Sequence, residues 1–337
     1  MRAQKLDASQ IWLLYIAALV CDALVMPFGQ TEKFSAWVTT WAVLLDTVLL
    51  CALIFLLWNG ISALQAGMLW YGTAGAALLF SAACTFLNTE RFYRFCSDGA
   101  LPEVAVIAVL LLVAFYACSC GLHALSRATG LLLWLLAASA ALLLLANYGK
   151  LQVTNLQPAG QDGENLLRAC AAYFHFPAAL LLFGILPEKK ENPLPVKKML
   201  WGLAGLAAVQ IGCAIMSELV LGAGTQQHSQ SMYTLARLGG LSVFQRLDPI
   251  HLCVWLLATL LKSTILLCSA AQALATWMPA LSAKKRQWML AGLTLTALIA
   301  AAAMHTEMQQ MTMTILSVAA ACILWIQRRT GCKRKKE

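Results

Sequence analysis

The chain is 337 residues long, 61% hydrophobic and 12% charged, with a formal charge of +9, whereas ordinary soluble domains carry about 25% charged residues. Apolar segments recur from end to end and no polar block is long enough to fold alone, which excludes a soluble catalytic domain and indicates a single polytopic membrane domain. The basic excess lies in short loops and in a basic tail, the distribution of the positive-inside rule, so nucleic acid is not an expected partner.

Apolar runs bounded by charges and turn formers predict an all-α integral membrane protein. It has a cytoplasmic N-terminus at 1–10, a membrane domain at 11–327 and a basic cytoplasmic tail at 328–337. The ten spans fall at about 11–29, 36–58, 67–87, 103–125, 129–148, 166–186, 196–221, 249–279, 287–304 and 309–327. The first follows Arg2 and Lys5 as a secretory signal would, but Asp22 interrupts it and Val20 is a poor residue before Cys21 for lipoprotein processing. It reads as a retained helix. With the N-terminus in the cytoplasm, sixteen basic residues fall in inside segments and six in outside loops, which places both termini inside.

Two spans carry a proline flanked by polar or aromatic residues: Pro27 in the first (VCDALVMPFGQ) and Pro177 in the sixth (AAYFHFPAALLLFGILP). Proline removes a backbone donor and clashes with the preceding turn, so each helix is expected to kink or unwind there. The two stand five spans apart. Broken helices at matching positions of two five-helix halves point to a 5+5 inverted-repeat transporter fold with its site at the midplane; independent kinks in packed helices are the alternative. Between spans seven and eight, Met232, Leu235, Leu238, Val243, Phe244 and Leu247 can line one face of a short interfacial helix, either a gate or a passive connector.

The eighth span places Lys262 about 18 Å beyond Ile250, midway through a hydrocarbon core about 30 Å thick. A lysine there costs roughly 2.5–3.5 kcal/mol on insertion scales, so the bundle must supply a carboxylate, carbonyls or water. Asp46 in span two reads as a packed acid, Glu218 as a solvated group at the outer end of span seven, Arg168 as an interface anchor, and the methionines of span ten (Met308, Met311, Met313) as packing. Most of the twelve cysteines lie in apolar spans and behave as small hydrophobes. The Cys118-x-Cys120 pair lacks a second pair at zinc spacing, so no metal is expected. No catalytic motif is present: there is no His-Glu-x-x-His, no Gly-x-Ser-x-Gly and no phosphate-binding glycine loop, and no cofactor is expected.

Several motifs occur in order: Arg91 to Phe95 leaving span three, Leu101-Pro102-Glu103 opening span four, Thr154-Asn155-Leu156-Gln157-Pro158 before span six, and Pro187 with its lysines after it. Gln245-Arg246-Leu247-Asp248 and Leu261-Lys262-Ser263-Thr264 then follow in span eight. Over about residues 5–325 this set resembles the B-subunit permeases of spore germination receptors, in the amino acid/polyamine/organocation (APC) transporter superfamily. The sequence departs from the family pattern at Ala178 and Leu180, where a Gly-x-Glu is usual, and at Asp22, where a small or hydroxylated residue is more common.

The resemblance implies broken helices one and six packed against three, eight and ten, with half-helix ends offered to a ligand carboxylate and ammonium. By position, the ligand-facing residues are Leu24, Val25, Met26 and Pro27 with Asp22 in span one, and Phe174, His175, Phe176 and Pro177 in span six. Lys262 would stand where sodium-coupled relatives hold an ion, with Asp22 or unwound carbonyls as partner; a purely structural ion pair or a snorkelling lysine is the alternative. For His175 a ligand hydrogen bond and a packing role both stand. The implied role is the membrane B subunit of a nutrient germinant receptor. It would bind a small amino acid or similar germinant and work with an A-type membrane subunit and a C-type lipoprotein subunit in the cell membrane, the inner membrane of the spore if the organism sporulates. A secondary transporter of amino acids or amines and a non-binding scaffold subunit are the alternatives.

Overall fold

The computed structural model describes residues 6–25, 34–58, 67–97, 102–156, 163–186, 196–226, 228, 230–240 and 246–334. Every regular element is helical: α1 (Ala8–Val25), α2 (Ala36–Trp58), α3 (Met68–Ser97), α4 (Glu103–Cys120), α5 (Leu122–Asn147), α6 (Gly163–Tyr173), α7 (Leu182–Ile185), α8 (Val196–Leu221), α9 (Ser231–Leu238), α10 (Asp248–Trp277), α11 (Ala283–Ala302) and α12 (Thr306–Arg334). Among the described residues, helix falls within each of the ten expected segments, without filling all of them. Among the described residues, seven helices are long and apolar enough to cross a membrane, and the bent pair Leu166–Tyr173 and Ala178–Ile185 makes an eighth. The apolar stretch of α1 is shorter, at Ala8–Ala23, and α11 opens on Lys284, Lys285 and Arg286.

The exposed surface is that of a protein solvated by lipid. Val104, Leu112, Leu131 and Trp134 are each more than 70% exposed, an apolar covering that water would not tolerate over such an area. Burial separates centre from periphery: 72% of the apolar stretch of α3 and of α10 is covered by protein, against 11% in α4. α3 and α10 pack along each other in the middle of the bundle, with α4 and α5 against α10 and α11 and α12 against α3. α1 lies against α5, α8 and α10; the α6–α7 unit lies against α2, α12, α3 and α10, and α2 packs on α8.

Several boundaries differ from expectation. α4 stops at Cys120 and α5 begins at Leu122, joined by Gly121 alone at φ 89° and ψ 164°, a backbone region that only glycine occupies readily. Arg127, read as a loop charge, is an exposed residue of α5. α3 runs ten residues past its expected end because its charges are satisfied on the helix: Arg94 pairs with Glu90 one turn back at 2.8 Å and with Glu103 at the start of α4. Glu218 is 3% exposed and not solvated; its carboxylate accepts from the Ala36 amide at the start of α2, where the free N–H groups and the helix dipole favour an anion. Asn155 turns its amide to the Leu219 carbonyl at 3.0 Å, closing the end of α8. Cys268, read as a small hydrophobe, and Cys118, read as half of an isolated Cys-x-Cys pair, are joined as a disulfide between α10 and α4.

The α9 helix lies over α5, α8 and α10. It buries Leu235 and Ala236, leaves Leu238 47% exposed, and sets Tyr233 edge-on to Phe92, which stacks on Trp255 at 4.0 Å. Val243 and Phe244, expected on the same face, lie outside the described residues.

α1 reaches α8 closely at one point. The Tyr15 hydroxyl donates to the Met199 carbonyl at 2.8 Å, and its ring lies on Gly202, where a Cβ would collide with it. Gly202→Ala should therefore cost roughly 1–3 kcal/mol as an overpacking change, lowering the midpoint of unfolding in SDS, whereas Gly205→Ala, in open space on the same helix, should not.

Candidate functional site

α10 carries Lys262 halfway along its length, buried on all sides, and α1 brings Asp22 to it from the opposite wall. The Lys262 ammonium and an Asp22 carboxylate oxygen form an ion pair, and both side chains are more than 90% buried. The neighbouring hydroxyls of the Leu-Lys-Ser-Thr motif do not join them. Ser263 donates to the Thr259 carbonyl at 2.9 Å and Thr264 to the Leu260 carbonyl at 2.7 Å, bonds that satisfy the hydroxyls within their own helix. Of that motif, only the lysine reaches toward another helix. The pair is thus the local answer to a charge that hydrocarbon would reject.

The sixth span is broken where Pro177 predicts it. α6 ends at Tyr173, residues 174–177 are non-helical, and the chain resumes as a 3-10 turn at Ala178–Leu181 running into α7, bent by 43° from α6. The cause is local: Pro177 has no N–H to give and its ring blocks the preceding turn. Opening a helix frees backbone groups that a bilayer cannot satisfy. α12 supplies them. Gln310 donates to the Ala172 carbonyl at 2.8 Å and approaches that of Phe174 at 3.4 Å, while Thr314, one turn further on, approaches the Phe176 amide at 3.4 Å. Downstream, Leu180 closes the first new turn on the Pro177 carbonyl at 3.0 Å.

His175 stands in the middle of the opened segment, 7% exposed. Its Nδ1 lies 3.4 Å from the Tyr173 carbonyl, its buried Nε2 has no hydrogen-bond partner, and both Asp22 and Lys262 lie within its electrostatic reach. α1 also packs on the turn Ala178–Leu181. The break and the ion pair therefore share one region of the bundle.

Of the ten residues expected at a site, three converge: Asp22, His175 and Lys262. Phe176 is 1% exposed and belongs to the apolar core with Leu19 and Ala23, a packing position. Phe174 is partly buried and Pro177 buried at the break. Leu24 and Val25 form the end of α1, with side chains outside the description, and Met26 and Pro27 lie outside the described residues, as does the expected break in span one. Asp46 is 8% exposed, with one carboxylate oxygen unpartnered, away from this group on the α2 wall beside Cys170. Arg168 is exposed on α6. Gln310 and Thr314 were missed: they stand four apart, a spacing that faces one neighbour, but Gln309 and Thr312 beside them are equally polar, so the sequence does not single them out. Gln309 beside them also acts as a cap, donating to the Ala301 carbonyl at 2.7 Å at the end of α11. Among the described residues no group of three or more His, Cys, Asp or Glu is placed to hold a metal ion.

Two outcomes follow from this wiring. Lys262→Ala leaves Asp22 buried without its partner and should destabilise the fold by about 3–5 kcal/mol, with much of the loss recovered in Lys262→Met/Asp22→Asn. Gln310→Ala strips the donor from the carbonyls of the break and should cost roughly 1–3 kcal/mol; unfolding titrations of the purified protein check both.

No curated protein matches the chain. The spore permease family, described as a spore germination protein, matches residues 91–310, from the Arg-Phe-x-Arg-Phe exit of α3 through the break and Lys262 to Gln310. This stretch, well over half of a multi-pass membrane chain that holds a broken helix beside a buried ion pair, shows that the chain belongs to the spore germination protein family.

Proposed function

We propose that this germination-family membrane protein is the B-type subunit of a nutrient germinant receptor, binding a small amino acid or similar solute at the break in span six and signalling through an A-type membrane subunit and a C-type lipoprotein subunit. The observation that carries the reading is the opened segment 174–177 beside Asp22 and Lys262, with the buried Nε2 of His175 unpartnered. A buried polar atom without a partner is costly, and a ligand that met it would recover that cost. An opened segment with an unpartnered imidazole nitrogen beside a charge pair suits a zwitterion.

All ten segments cross the membrane in this reading, with both termini cytoplasmic, as the sixteen-to-six distribution of basic residues favours. The packing supports a 5+5 inverted repeat. A shift of five spans relates α1 to α6–α7, α2 to α8, α3 to α10, α4 to α11 and α5 to α12. Under that exchange the α1 contacts with α5, α8 and α10 become those of the α6–α7 unit with α12, α2 and α3. The α10 contacts with α4 and α5 likewise become those of α3 with α11 and α12. The α2–α12 and α4–α5 contacts have no counterpart of comparable extent. Five spans per half, an odd number, invert the second half relative to the first.

The ion pair favours a second reading, a secondary transporter of amino acids or amines, because an acid and a base bridging α1 and α10 at mid-membrane are placed to exchange a proton during gating. Thermal stability against a panel of amino acids, sugars and amines tests the proposal. A ligand at a hundredfold excess over Kd raises stability by about 2.7 kcal/mol, and His175→Ala should abolish the shift while leaving the protein folded. Binding without sustained flux in proteoliposomes is the receptor result, flux is the transporter result, and no shift with any solute would favour the scaffold.

A further inference from the structure

Away from the candidate site, a cavity of about 260 Å³ opens between α4, α10 and α11, lined by Phe115, Ser119, Gln272, Ala275, Arg286 and Leu290 among others. Its wall is mostly apolar, Ala283 and Arg286 of the first turn of α11 stand on its lining, and Lys284 and Lys285 lie between them on the same turn. Ser282 caps that helix start by accepting from the Lys285 amide, so the three basic side chains are carried on an ordered turn. Arg286 is held over the cavity by a 3.4 Å contact from Nη1 to the Ala275 carbonyl. Trp288, 72% exposed two residues on, is a side chain suited to the headgroup level of a bilayer.

The charge here has no counterion in the helices that carry it. No carboxylate occurs in the sequence between Glu103 and Asp162, or between Asp248 and Glu307, so α5, α11 and all but the first residue of α4 and α10 lack an acid. Among the described residues the ion pairs are those of Arg94, Arg246 and Lys262; Lys284, Lys285 and Arg286 are in none. Elsewhere in the bundle a cavity of about 340 Å³, lined by Leu136, Leu143, Cys213, Met232, His251 and Trp255 among others, is apolar too but has no Lys or Arg on its lining.

We infer that the α4–α10–α11 cavity is a binding site for an anionic phospholipid, whose phosphate sits on Lys284, Lys285 and Arg286 and whose upper acyl chain fills the apolar groove down to Phe115 and Leu290. Basic residues at a membrane surface attract anionic headgroups, and basic pockets between spans hold them. A zwitterionic lipid would leave the cluster uncompensated, and a small anion would leave the groove empty.

Native mass spectrometry of the full chain in a neutral maltoside detergent tests this, with phosphatidylglycerol, phosphatidylcholine of the same chains, and glycerol phosphate as probes. Phosphatidylglycerol should remain bound where phosphatidylcholine does not. Lys284→Gln/Lys285→Gln/Arg286→Gln should weaken it on the order of a hundredfold, given three surface charges. Ser119→Trp, which fills the groove and keeps every charge, should weaken it as well, and glycerol phosphate should not displace it. Equal retention of the two lipids, undiminished binding in the triple variant, or undiminished binding in Ser119→Trp would overturn the assignment. Displacement by glycerol phosphate would overturn the lipid in favour of a small-anion site.

Discussion

A lysine at the centre of a membrane helix sets the terms for everything around it. Lys262 cannot be left facing hydrocarbon, and at mid-span it is too far from either surface to snorkel, so α10 must turn that face inward and another helix must bring a carboxylate. α1 does so with Asp22. Separating two buried, desolvated charges is costly, so the pair ties α1 to α10 at this depth. The close seat of Tyr15 on Gly202 then locks α1 to α8 on its other side.

The second constraint is backbone accounting. Span six gives up its helix for four residues, and a bilayer offers no water to the groups released. α12 is bound to the break by that need, just as α8 is bound to the start of α2 by Glu218 and the end of α11 by Gln309 of α12. Glu218, Gln309 and Gln310 each serve the end of a neighbouring helix. His175 is the exception inside the break, since its Nε2 serves no protein group.

Much of the architecture was legible in the sequence because membrane spans announce themselves by length and apolarity, and a mid-span proline or lysine announces its own consequence. The break at Pro177 and the need of Lys262 for a partner follow from local chemistry alone, whereas the choice of Asp22 over unwound carbonyls is set by the packing of α1 against α10. Boundaries were harder: Gly121 turns the chain in one residue, and the charged end of α3 stays helical because Arg94 finds Glu90 and Glu103, a fact of tertiary packing. Glu218, Gln310 and Thr314 were invisible as caps because each serves a helix remote in the chain, and a single sequence carries no record of which helix that is.

The claim on which the rest depends is that Asp22 and Lys262 touch. Solid-state NMR of the protein in lipid, with Lys Nζ labelled with nitrogen-15 and Asp Cγ with carbon-13, measures this through the dipolar coupling between the two. The account predicts a strong coupling from Lys262 to one aspartate carboxyl, which disappears in Asp22→Asn. A Lys262 signal with no coupling to Asp22 would contradict it, and with it the placement of α1 against α10.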